Sequence, residues 1–356
     1  MHLDHARFPE EYVRYIKGKY LFLILCVLFI LILFLFSISV GAVPVPLDTV
    51  VRVIFGQESA LKWKSIIWNI RFPRALTAVI AGVGLAAAGA AMQSILRNPL
   101  GSPFTLGISQ AAAFGAAMSV MLIGTGIMHS TGADAVTITN PYITTATAFL
   151  FCLLATAFLL AIAKLRHAST EVLVLTGVAL GSLFTAGTMF LQYFADDVQL
   201  AAMVFWTFGD VGRASWDELG VITAIVFIGT VFFFFNSWNY NAIDTGDETA
   251  KGLGIHVERI RLLTMVVASL VTAVIISFVG VIGFVGLVCP HMVRRIIGDD
   301  HRFLLAGSCL AGGIVLLAAD TVARTLMAPH VFPVAILTAF LGAPVFIYLL
   351  IRGYHR

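Results

Sequence analysis

Charge is what this 356-residue chain has least of. Asp, Glu, Lys and Arg make up 12% of it, against about a quarter of ordinary soluble domains, while apolar residues reach 60%. One water-soluble core cannot bury that much apolar surface. A bilayer can accept it, and a bilayer also penalises ionisable groups heavily. The net charge of +3 decides little, because the placement of basic residues matters more than their sum. Cysteine is scarce too. Cys26, Cys152, Cys289 and Cys309 stand singly in apolar segments, with neither metal-ligand spacing nor a loop setting for a disulfide. They read as small apolar packers. No Gly-x-x-x-x-Gly-Lys-Ser/Thr loop exists, which excludes ATP binding of that type by this chain. The motifs His-Glu-x-x-His and Gly-x-Ser-x-Gly are missing as well, so no catalytic residue, metal site or cofactor is expected in the chain itself. Nothing points to a nucleic-acid partner. Linkers, charge blocks and low-complexity tracts are lacking, so residues 1–356 read as a single transmembrane domain.

What is present is a series of long apolar runs. A bilayer span needs about 20 such residues. Helices are expected at about 20–40, 74–96, 104–125, 142–163, 171–194, 217–236, 259–279, 283–297, 303–327 and 334–352. Residues 1–19 would then precede the first span. The first run, Tyr20 to Val40, exceeds a signal-peptide core and reads as a retained helix. Leu200 to Phe208 is too short to span and suits a half-helix at a surface. Leu262 to Val293 holds no Asp, Glu, Lys or Arg, yet as one helix it would reach about 48 Å. Gly280, Gly283, Gly286 and Pro290 interrupt its second half, so a full span, a turn and a shorter returning helix are expected. One long kinked helix is the alternative, and would give nine spans. The second helix is rich in small residues from Ala81 to Ala91, which let backbones approach closely in lipid.

With ten helices, about 15 of the 22 Lys and Arg residues fall on one side, with both termini. That side should be cytoplasmic. Five of the remainder cluster in Arg52–Arg74 on the other side, an exception that needs a cause. Trp63, Trp68, Trp206 and Trp216 fall near that outer boundary.

The most informative loop is residues 244–256, on the basic side. Asp247 and Glu248 suit a helix N-terminus, and Gly252 and Gly254 can end one. A compact helix is expected there, with Leu253 and Ile255 exposed. Propensity gives no reason for such a helix in a loop. The pattern Gly-Asp-Glu-x-Ala-x-x-Leu-Gly, Gly246 to Gly254, resembles the ATPase-coupling loop of the iron-chelate and cobalamin permease family of ABC importers. Six further segments match in family order. They are Arg71-Phe72-Pro73-Arg74, Gly89-x-x-Met92-Gln93, Arg97-Asn98-Pro99-Leu100-Gly101-Ser102-Pro103, Gly283 to His291 with Arg294 and then Asp299-x-His301-Arg302, Ala319-Asp320-x-x-Ala323-Arg324, and Pro333 with Thr338 to Phe346.

The resemblance implies an all-α, ten-helix permease of the type II importer fold in the cytoplasmic membrane. It implies a second permease subunit (the same or a different chain), two ABC ATPase subunits that bind ATP and Mg, and an external substrate-binding protein. Gly246, Asp247, Glu248, Ala250, Leu253 and Gly254 would couple to the ATPase. Arg71, Arg74 and Arg324 would meet acidic residues of the binding protein, which accounts for the charge exception. For Arg324, an i, i+4 pair with Asp320 stands beside that role. Asn98 and Leu100, with Ser169 and Thr170, resemble a cytoplasmic gate, although Ser169 or Thr170 also suits an N-cap before the run from Val172. Ferric siderophores lead as substrate, with haem and cobalamin behind.

Two other readings fit less well. A secondary transporter needs ionisable groups at mid-membrane, and the helix centres here are nearly charge-free. An intramembrane enzyme needs a polar catalytic cluster. His129 and His330, in outer loops, could meet a haem, but no histidine pair has helical metal-site spacing.

Overall fold

The computed structural model describes residues 10–57, 60–124, 126–128, 136–138, 141–165, 170–326 and 331–353. Its helices are α1 (Glu10–Ser39), α2 (Leu47–Ile54), α3 (Leu61–Lys64), α4 (Phe72–Ile95), α5 (Ile108–Ile123), α6 (Pro141–Leu165), α7 (Thr170–Phe194) and α8 (Asp197–Thr207). They continue with α9 (Trp216–Phe235), α10 (Ser237–Asp244), α11 (Asp247–Gly252), α12 (Val257–Val279), α13 (Val285–Ile297), α14 (His301–Leu326) and α15 (Val334–Gly353). A two-stranded antiparallel ribbon, β1 (Gly126–Met128) and β2 (Val136–Ile138), lies between α5 and α6. Apart from that ribbon and the connecting turns, the described residues are helical, as lipid demands of a backbone that must satisfy its own hydrogen bonds. All ten expected helices form, and among the described residues seven are long and apolar enough to cross a membrane.

Three boundaries and one whole helix depart from the expectation. α1 begins at Glu10, so much of 1–19 is helix rather than a separate segment. Its extension is held where the Lys19 ammonium sits 4.4 Å from the Tyr15 ring centre and 4.8 Å from that of Phe303. The second span starts early as well. α3 runs through a π-helical segment, Ser65–Arg71, straight into α4. Pro73 has no N–H, which frees the Trp68 carbonyl five residues back, and the Trp216 indole donates to it at 2.8 Å. α5 starts only at Ile108. Before it, Ser102 and Thr105 bond reciprocally (3.0 and 3.2 Å) in an irregular turn packed inside protein. α2 was not foreseen.

The charge-free stretch is two helices, α12 and α13, joined at 280–284. The Asp210 N–H fixes the turn by donating to Val279 O at 2.8 Å. α8 is the expected half-helix, with Asp196 and Gln199 forming a capping box.

α4 is the hub, packed against α9, α12, α13 and α14. Its small residues serve close packing. A Cβ on Gly89 would run into the carbonyl of Gly286, and one on Gly82 into that of Gly312. At one end of the bundle lie Lys19, Ser94, Asp244, Arg261 and His301, here the basic end. At the other lie Arg71, Arg74, Asp210 and Asp320.

Candidate functional site

The loop at the basic end folds as its residues dictate. Gly246 (φ +126°) starts the short helix α11 in a conformation closed to most side chains, and Gly254 (φ +84°) ends it. Ala250 is fully buried against Ile243 and Val257. The two acids of the first turn part company. Asp247 turns inward, and both its oxygens accept from Arg261 Nη2, at 3.2 and 3.0 Å. Glu248 is 89% exposed and pairs with Lys251 at 2.9 Å. Leu253 is 68% exposed. Ile255 is half-buried rather than exposed.

Arg261 reaches further. Its Nε donates to the carbonyl of Ile95, the last residue of α4, at 2.9 Å. A cation on a helix C-terminus satisfies an otherwise orphaned acceptor. One residue earlier on α4, the Ser94 hydroxyl donates to Asp244 Oδ1 at 2.9 Å. Asp244 Oδ2 lies 2.8 Å from Nε2 of His301, which is fully buried. The His301 backbone N–H donates to Asn241 Oδ1 at 2.8 Å, and Asn241 donates to Asp300 at 3.0 Å. Burial raises the Asp300 pKa, but hydrogen bonds from Arg302 and Asn241 outweigh it and push the value down to about 2.

Past α4 the chain makes a tight turn. The Leu100 N–H donates to Asn98 Oδ1 at 2.9 Å. Arg97, Asn98 and Pro99 face a cavity of about 560 Å³ with Asn241, Asp244, Arg294 and Asp299 around it. The loop therefore hangs from the end of α4, and that end is tied twice to the segment carrying α11.

The opposite end concentrates positive charge inward. Arg71 Nη1 donates to Ile38 O (2.6 Å) and Ser39 O (2.8 Å), and Nη2 donates to Val43 O. Arg74 donates through Nε and Nη2 to Asp320 Oδ1 (2.9 and 2.8 Å) and pairs with Asp210 at 3.0 Å. Arg324 donates to Asp320 Oδ2 (3.0 Å), Ser37 O (3.0 Å) and Ser37 Oγ (2.7 Å). Asp320, fully buried, thus joins two guanidiniums.

The model of the FecCD transport family matches residues 28–352. The chain belongs to the FecCD transport family. A protein named as an ABC transporter permease in Methanocaldococcus jannaschii is 50% identical over 98% of this chain and 99% of its own. The hemin transport system permease of Yersinia pestis is 35% identical over 80% of this chain and 83% of its own. The cobalamin import system permease of Halobacterium salinarum is 38% identical over 80% and 73%. A solved structure described as a metal-chelate type ABC transporter, facing inward, superposes with a TM-score of 0.80 at 28% identity over 93% of this chain and 98% of that one.

In this FecCD permease the structure sorts the expected residues into groups. Gly246, Asp247, Glu248, Ala250, Leu253 and Gly254 form one short helix and its ends, with Glu248 and Leu253 offered to solvent. Asn98 and Leu100 come together with that unit through α4. Thr170 opens α7, a separate element, and Ser169 lies outside the described residues, as do His129 and His330. Arg71, Arg74 and Arg324, expected to present charge outward, are instead largely buried and bonded within the chain, and the Asp320–Arg324 pair is present. Among the described residues no group of His, Cys, Asp and Glu could hold a metal. Arg261 and Ser94 were not singled out from sequence, and Asp244 and His301 stood there only within matched segments, with no role of their own. The one available signal was a charge, Arg261, just inside an apolar helix.

Proposed function

We propose that this permease passes a ferric chelate of the siderophore class from an external binding protein to the cytoplasm, driven by two ABC ATPases beneath a permease pair. The basic end faces the cytoplasm, as the distribution of Lys and Arg implies. The observation that carries the reading is α11. Its rear face is locked to α12 and α4 through Ala250 and Arg261, while Glu248 and Leu253 stand exposed on the front. A helix held so firmly behind, with an exposed carboxylate and the apolar Leu253 in front, suits a partner that pushes on it. ATPase docking would act by contacting it differently in two states. Asn98 and Leu100, with Ser169 and Thr170, would form the gate that this motion opens.

Arg71, Arg74 and Arg324 serve docking of the binding protein indirectly in this reading. They hold the outer ends of α1, α4 and α14 in register, so that the exposed face beside them keeps its shape. The relatives' names include hemin and cobalamin transport, and the superposed structure is described as of metal-chelate type, so the cargo class is a large metal complex. The test has two steps. The permease is co-purified with its ATPase, and vesicles of the complex are then offered ferric siderophore, ferric citrate, haem and cobalamin, each with the binding protein. ATP-dependent uptake of the siderophore is expected. Uptake of haem or cobalamin alone would reassign the cargo, and failure to assemble with any ATPase would overturn the permease reading.

A further inference from the structure

The inference drawn here rests on the permease reading and deepens it. We infer that Ser94, Asp244 and His301 are positioning residues that carry movement of α11 to the gate loop 97–100. Three helices meet at these side chains. Asp244 closes α10, two residues before Gly246 and α11. Ser94 lies in the last turn of α4, three residues before Arg97. His301 is the first residue of α14.

The geometry makes Asp244 the shared acceptor. A carboxylate can only accept, so both neighbours donate, Ser94 Oγ to Oδ1 at 2.9 Å and His301 Nε2 to Oδ2 at 2.8 Å. His301 therefore carries a proton on Nε2. Further contacts fix the imidazole. Tyr240 meets it edge-on with ring centres 5.6 Å apart, and Asn241 holds its backbone N–H. The nearby charges are committed elsewhere: Asp300 to Arg302, Asp299 to Arg294, and Asp247 to Arg261. Asp244 is thus left as the carboxylate available to join α4 and α14.

Two ties therefore connect the α11 segment to the end of α4, Asp244–Ser94 in front of α11 and Arg261–Ile95 behind it. A push on α11 moves α10 and α12 together. Through the Ser94 tie the last turn of α4 must follow, and the loop leaving that turn follows with it. Gln93 lies buried in the same turn, where its Nε2 donates to Leu287 O at 3.1 Å, and it lines the same cavity as Arg97, Asn98 and Asp244.

Hydrogen exchange tests this without knowledge of the cargo. The permease–ATPase complex is compared before and after trapping with ATP and vanadate. In the wild type, exchange should change both at 247–256 and at 97–106. In Ser94→Ala and His301→Ala, the change at 247–256 should persist while that at 97–106 shrinks about tenfold. His301→Gln, which keeps an N–H for Asp244, should restore it. An unreduced response at 97–106 in the two alanine variants overturns the inference, and so does a loss that His301→Gln fails to repair. If His301→Ala does not fold, Ser94→Ala decides. If trapping leaves 247–256 unchanged in the wild type, the ATP-driven reading itself fails, which is a separate outcome.

Discussion

Replacing Arg261 with alanine tests how α11 is held. A six-residue helix is far below the roughly 12–15 residues at which isolated helices become even marginal in water. Its order must therefore come from Ala250 packed on Ile243 and Val257, and from Arg261. Arg261→Ala removes two contacts with the Asp247 carboxylate and one with Ile95 O. Hydrogen bonds to charged groups contribute about 1.5–3 kcal/mol each, but Asp247 is 35% exposed and water recovers part of the loss. A net of about 2 kcal/mol remains, or a factor of about 30 in the docked population. Amide exchange at 247–253 should accelerate by about that factor while the middle of α12 is unaffected. Asp247→Ala should give a similar effect, and the double variant should be no worse than the poorer single one. Unchanged exchange in Arg261→Ala would refute the clamp. Equal acceleration along all of α12 would show instead that Arg261 supports α12 in general.

Three further outcomes are expected. Gly89→Ala should lower the thermal midpoint in detergent, because its Cβ meets the Gly286 backbone and overpacking costs about 1–3 kcal/mol, whereas Gly220→Ala, with open space around it, should be neutral or slightly stabilising. Asp320→Asn should destabilise by about 3–5 kcal/mol, since Arg74 and Arg324 lose a shared buried counter-charge, and differential scanning calorimetry would read it. Asp300 is held at about 2 against its ordinary 3.8, so its stabilisation is complete above pH 4 and fades as pH falls toward 2. Asp300→Asn should remove that limb from the pH dependence of the melting temperature.

The helices were legible because lipid makes length and apolarity decisive. The ten runs stand out, and so does the break after Val279, where a charge-free stretch exceeds any bilayer. The α11 helix was legible only as a pattern of acids and glycines matched to a family. What escaped the sequence was long-range. Ser94 and Asp244 lie 150 positions apart, and Ile95 and Arg261 lie 166 apart, so no local periodicity links them. The inward turn of Arg71, Arg74 and Arg324 was hidden for the same reason. Their partners Val43, Asp210 and Ser37 are loop or helix-end groups whose placement depends on the packed bundle. The π segment was missed because residues 61–71 carry Lys62, Lys64, Asn69 and Arg71, which read as a loop until Trp216 supplies the donor that Pro73 cannot.

In the proposed function a nucleotide-driven partner moves the membrane bundle through α11. The most direct measurement is chelate uptake into vesicles holding the full complex and the binding protein, with ion gradients collapsed by ionophores. Uptake that requires ATP and is lost in Leu253→Asp is the predicted result. Uptake that continues without ATP, or that follows an imposed ion gradient, would contradict it.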